Sequence, residues 1–195
     1  MNILFINACL RPDSRTKALA DEVLAHIVSK QGDNINVSEV NLATNPILPL
    51  STKTLIQRSE LLNEKRLDDP SFEHARQFAA ADEIVIAAPF WDMSFPAALK
   101  AYLEAINISG ITFKYTREGK ILGLCKAERL VYVTTAGGMI PSENCGFGYI
   151  KSLCQHLYGI NNLVFIKAEG LDIWGADIKE ILQKSKESIP LALDA

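Results

Sequence analysis

Residues 2–8 (NILFINA) form an apolar run with no polar alternation. A strand that is apolar on both faces has to be covered on both, which makes it an interior strand of a parallel sheet held between helices. Similar runs recur at 83–89 (EIVIAAP), 129–135 (RLVYVTT) and 163–168 (LVFIKA). The stretch 35–42 (INVSEVNL) interleaves Asn36, Ser38 and Glu39 and reads as a strand with one wet face or edge. Helical periodicity fills the gaps: Ala20, Val23, Leu24, Ile27 and Val28 after the first strand, 71–81, 97–108 behind Pro96, about 144–158 stopping at Gly159, and 176–188. Strands alternating with helices predict an α/β fold, a doubly wound five-stranded parallel sheet with right-handed crossovers. The order 2-1-3-4-5 puts the wet second strand outermost. At 195 residues, one domain spanning 1–195 is expected. A longer connection at about 43–72 carries two early prolines, a charged helical stretch and the break Asp69-Pro70, and it packs on a partner or covers a site. Residues 110–128 read as a short hairpin or ordered loop around Arg117-Glu118-Gly119.

Composition removes several function classes. A net charge of −3, with no basic stripe, argues against nucleic-acid binding. The apolar runs are strand-length, so no membrane span is expected, and the absence of a visible leader points to the cytoplasm. Cys9, Cys125, Cys145 and Cys154 show no C-x-x-C spacing and lie in or beside apolar segments, as buried free thiols do. Cys9 also admits a reactive thiol, because of the loop it sits in. His26, His74 and His156 lie on helical stretches without ligand-like spacing, so no metal site is expected.

That loop is unusual in its charge. Arg11, Arg15 and Lys17 surround the start of a helix, where the macrodipole already places positive charge and ordinary sequences put Asp or Glu. A bound anion reverses the sign, with the Ser14 and Thr16 hydroxyls as further donors and Asp13 or Ser14 as the cap. A solvated basic turn with an ordinary cap is the plainer reading. In the order 2-1-3-4-5 the loops 9–17, 89–95 and 135–139 fall side by side beyond the strand ends, where such sheets bind ligands. The second offers Pro89, Phe90, Trp91, Asp92 and Met93, with flat or polarizable surface for a planar ring, or core packing under the next helix. The third offers Thr135, Ala136, Gly137 and Gly138, two glycines that permit close backbone approach to a ligand or simply make a tight turn. A monophosphate, a planar heterocycle and backbone donors for its polar edge together describe flavin mononucleotide (FMN).

At these residues the chain resembles the FMN-dependent NADH:quinone oxidoreductases and azoreductases of the flavodoxin-like fold. The resemblance runs through Ser14-Arg15-Thr16, Asn45-Pro46, Ala88-Pro89-Phe90-Trp91-Asp92-Met93, Leu99-Lys100-Ala101-Tyr102, Gly110-Ile111-Thr112-Phe113-Lys114-Tyr115-Thr116, Gly137-Gly138 and Ala168-Glu169-Gly170. It implies phosphate contacts at Ser14, Arg15 and Thr16, ring contacts at Phe90, Trp91, Asp92 and Met93, and contacts near the pyrimidine end from Thr135, Ala136, Gly137 and Gly138. Arg11 has no fixed counterpart and is added for its place beside the phosphate. Three departures bear on the site. Asp92 stands where Asn is common and, if ionised, lowers the ring's reduction potential; Ala136 replaces an arginine; Ala8 replaces a serine.

The resemblance implies a homodimer and a ping-pong transfer of two electrons from NADH or NADPH, through bound FMN, to a quinone, azo or nitro-aromatic acceptor. The cofactor carries the chemistry, so no catalytic side chain is expected. The chain agrees by omission, lacking a G-x-S-x-G elbow and a complete dinucleotide fingerprint. Two alternatives stand beside this reading: a flavodoxin-like electron carrier or redox-sensing flavoprotein, and a doubly wound domain that binds some other phosphate.

Overall fold

A computed structural model describes residues 1–31 and 34–194. In chain order, these residues form β1 (Asn2–Asn7), α1 (Arg15–Gln31), β2 (Asn36–Asn41), α2 (Thr52–Asn63), α3 (Glu73–Ala80), β3 (Glu83–Ala87), α4 (Ala97–Ile106), β4 (Phe113–Tyr115), β5 (Ile121–Gly123), β6 (Arg129–Thr135), α5 (Phe147–Leu153), β7 (Asn162–Ala168) and α6 (Ile178–Leu193). The five-stranded sheet runs β2-β1-β3-β6-β7 with every pair parallel. This is the expected 2-1-3-4-5 order, once β4 and β5 are set apart as an antiparallel hairpin of their own.

Alternation along the inner strands divides the core in two. Leu4, Ile6, Ile84 and Ile86 point to one face, where Phe78 of α3, Tyr102 of α4 and Ile150 of α5 cover them. Ile3, Phe5, Val85 and Val131 point to the other, under Leu19 and Val23 of α1 and Ile189 and Leu193 of α6. All five residues of β3 are buried, which is the physical content of its unbroken apolar run. In β2 only Val40 is buried, as befits a sheet edge.

Several expected boundaries move. The charged stretch is helical only to Asn63, and it starts with a capping box between Ser51 and Thr54. Pro70–Phe72 forms a 3₁₀ turn capped by Asp69, so α3 begins at Glu73 rather than Ser71. The last helix runs on through Pro190 to Leu193: Pro190 is solvent-exposed, while Ile189 and Leu193 are buried and hold the final turn against the sheet. The long connection docks on the body of the fold. The Arg58 guanidinium donates to the carbonyls of Glu104 and Asn107 at the end of α4, and Arg76 donates to those of Leu67 and Asp69 at 2.8 Å each.

The end of α5 opens into a π turn (Cys154–Tyr158), and Gly159 follows at φ 80°. A Cβ on Gly123 would stand 2.2 Å from the Tyr158 carbonyl, so the hairpin meets this turn backbone to backbone. No helix among the described residues is long and apolar enough to cross a membrane.

The cysteines divide differently from the expectation. Cys9 and Cys154 are buried and Cys125 is partly so, whereas Cys145 is exposed in the segment ahead of α5. Burial raises the Cys9 pKa above the ordinary thiol value and pushes Cys125 and Cys154 up to about 12. A raised pKa leaves less thiolate, the reactive form, at any pH below it. Cys9 is thus an inert core thiol. We expect one thiol, Cys145, to react rapidly with a water-soluble disulfide reagent at pH 8, and the other three only on unfolding. Rapid modification of Cys9, located by peptide mapping, would overturn this assignment.

Candidate functional site

The parallel ladder continues past the strands and levels the loops that follow them. Ala8 N–H donates to Ala87 O at 2.8 Å, Ala88 to Val133 O and Phe90 to Thr135 O at 3.0 Å each, and Ala136 to Ala168 O at 2.9 Å. At the end of β1 the Asn7 side chain, itself buried, sets the exit of the chain. Its Oδ1 accepts from Cys9 N–H at 3.0 Å while its Nδ2 donates to Glu39 at 2.8 Å. Ser14 then caps α1, accepting from Lys17 N–H at 3.2 Å, and no acidic residue occupies the first turn of that helix.

Between these loops lies a cleft of about 410 Å³, lined by both basic-loop arginines, by the residues after β3 and β6, and by part of the loop after β7. Its size falls in the range of small-molecule sites, about 300–1,000 Å³. Of the residues singled out from the sequence, Arg11, Ser14, Arg15, Thr16, Pro89, Phe90, Trp91, Thr135, Ala136 and Gly137 all line it. Thr16 is buried and shares a 2.7 Å hydrogen bond with Thr135, joining the first loop to the third. The Arg11 guanidinium lies 5.6 Å from the centre of the Trp91 ring, joining the first to the second.

Three expected residues stand elsewhere. Asp92 and Met93 are the central pair of a tight turn closed by Trp91 N–H to Ser94 O at 3.1 Å and Ser94 N–H to Trp91 O at 2.8 Å. Both have positive φ, 48° and 66°, the geometry of a type I′ turn, which suits Asn or Asp and strains Met. The turn carries Asp92 to a neighbouring, mainly apolar hollow of about 650 Å³, shared with Leu10, Trp91, Phe95, Cys145 and Tyr149. Asp92 therefore faces that hollow rather than the cleft. Gly138 is exposed outside the cleft lining, and a Cβ there would meet nothing within 4 Å. Lys17 is also turned away: its ammonium pairs with Asp21 at 2.5 Å and lies over Phe5.

Leu10 and Asp13 of the basic loop line the cleft too, and so do two residues that the sequence did not announce, Leu171 and Asp172. The last two arrive because the segment after β7 pairs with the glycine loop, Leu171 N–H donating to Ala136 O at 3.1 Å and Asp172 N–H to Gly137 O at 2.9 Å. Asp172 then pairs with Arg15 at 3.0 Å. The donor set fits a phosphorylated aromatic ligand: a helix N-terminus with hydroxyls and two guanidinium groups, beside an indole wall and the loop that carries Gly137.

A model of the flavodoxin-like fold family matches residues 1–190. An FMN-dependent NADH:quinone oxidoreductase of Clostridium beijerinckii is 35% identical over 188 residues, covering 94% of this chain and 93% of the relative. A second such protein, from Clostridium acetobutylicum, is 36% identical over 192 residues, covering 95% and 94%. Among solved structures, a Bacillus anthracis azoreductase superposes with a TM-score of 0.84 at 22% identity, covering both chains fully. A Bacillus anthracis FMN-dependent NADH-azoreductase in complex with FMN superposes at 0.82 with 23% identity, covering 98% of this chain and 96% of the other. The end-to-end match to the family and to relatives above 30% identity places the chain: it belongs to the flavodoxin-like fold family and, within it, to the FMN-dependent NADH:quinone oxidoreductases.

Proposed function

We propose that this chain passes two electrons from NAD(P)H to quinones or to azo and nitro-aromatic compounds through FMN held in the cleft, donor and acceptor taking turns in a ping-pong cycle. The observation that carries the reading is the meeting, in one cleft, of a cation-flanked helix N-terminus, an indole wall and a glycine loop. The names of the relatives, FMN-dependent NADH:quinone oxidoreductase and azoreductase, supply the donor and the classes of acceptor.

Each residue then has a binding task. Ser14, Thr16 and the first N–H groups of α1 would hold the phosphate, with Arg11 and Arg15 adding charge-assisted donors. Phe90 and Trp91 would flank the ring, and Thr135, Ala136 and Gly137 would meet its polar edge. When bound, FMN supplies hydride acceptance and two-electron donation, so the side chains need only bind, orient and exclude water. The apolar hollow beyond Trp91, together with the exposed Tyr115, Ile121 and Leu122 of the hairpin, offers surface for the homodimer that the family resemblance implies.

The purified protein is expected to be yellow, or to become so on adding FMN, and to bleach under anaerobic NADH. A flavin that binds and does not bleach would support the electron-carrier reading instead, and a chain that takes up no FMN would end the flavin reading. Trp91→Ala should weaken FMN binding by about 1–2 kcal/mol through lost stacking and burial. An unchanged dissociation constant in a fluorescence titration would take the ring away from Trp91. Light scattering at micromolar concentration should give a dimer mass, and a monomer would refute the paired assembly.

A further inference from the structure

The cleft is not the purely basic site that its first loop suggests. Two carboxylates, Asp13 and Asp172, line it beside Arg11 and Arg15, so its formal charges cancel. Asp172 is the informative one. Its backbone is anchored by the 2.9 Å bond to Gly137 O, and its side chain reaches across to the Arg15 guanidinium at 3.0 Å. Its other carboxylate oxygen stands 2.4 Å from where a Cβ on residue 137 would be, so the group occupies the room that Gly137 leaves free. One ion pair thus spans the cleft from the basic loop to the glycine loop.

Both partners are substantially exposed, with side-chain exposures of 42% for Arg15 and 71% for Asp172, so water screens the pair and its partners are readily exchanged. A phosphate monoester carries about −1.5 to −2 charges and three strong acceptor oxygens, which makes it the stronger competitor for the same guanidinium. We propose that Asp172 is a built-in competitor for the anionic group of the ligand. It holds Arg15 across the cleft, gives it up to the phosphate, and thereby lowers the affinity of the site for FMN by the fraction of time that Arg15 is held. This rests on the flavin reading of the cleft.

The test compares FMN with riboflavin, which has the same ring and no phosphate, by flavin-fluorescence titration of the wild type, Asp172→Asn, Arg15→Gln and the double variant. Asp172→Asn should bind FMN about two- to fivefold more tightly and riboflavin no differently, since only the phosphate competes for Arg15. In the Arg15→Gln background, FMN binding should be weaker and the gain from Asp172→Asn should vanish. Equal shifts for the two flavins would place Asp172 at the ring and overturn the proposal. Unchanged or weaker FMN binding by Asp172→Asn would also overturn it, showing that the carboxylate positions Arg15 rather than competes for it. Failure of the wild type to bind FMN at all would remove the flavin reading, and the proposal with it, whereas FMN binding without the expected pattern leaves that reading intact.

Discussion

Four amide-to-carbonyl bonds, given by the first residues after β1, β3 and β6 to carbonyls of the neighbouring β3, β6 and β7, are what the site depends on. Because all the strands run the same way, each releases its chain at the same level, and the ladder carries that level one to three residues into the loops after β1, β3 and β6. Loops separated by more than forty residues in the chain become neighbours for this reason. The register is imposed from below: slipping any inner strand by one residue would exchange its two sets of core side chains between the two helix layers. The packing of the sheet and the alignment of the cleft are therefore one constraint.

What the sequence disclosed follows from that constraint. The inner strands were legible because burial on both faces leaves an apolar run that nothing else of that length explains, and the wet residues of β2 marked the edge. The basic loop was legible through a local conflict, cations where a helix dipole disfavours them. Asp172 was not legible, because it enters the cleft through a backbone pairing between two loops, and such pairing leaves no trace in residue type. Lys17 was misleading for the opposite reason: an aspartate one turn along its own helix claims it. Asp92 and Met93 follow the ring-wall residues in the chain, but a two-residue turn with positive φ carries Asp92 to the hollow beyond Trp91 and leaves Met93 exposed, outside the cleft lining. Pro190 suggests a helix end, and the burial of Leu193 outweighs that local signal.

Trp91 is the hinge of the chemistry on offer. It lines both the polar cleft and the apolar hollow, and Arg11 lies against its ring. A flat indole shared by two cavities allows a ligand in one and an apolar group in the other to meet a common wall. That arrangement suits a site in which two different molecules must reach the same ring in succession.

The hairpin of β4 and β5 is attached in an unusual way. Gly123 meets the Tyr158–Gly159 backbone with no side chain between them, while Tyr115, Ile121 and Leu122 face outward. The joint is made by main-chain atoms and by the buried side chain of Phe113, with whose ring Tyr115 makes a T-shaped contact at 5.7 Å. A change at either glycine would pry the hairpin from the body, whereas the exposed Ile121 and Leu122 are free to be exchanged at little cost to folding. The fold thus carries an outrigger whose fastening and whose working surface are separate, and new recognition can be tried on the one without loosening the other.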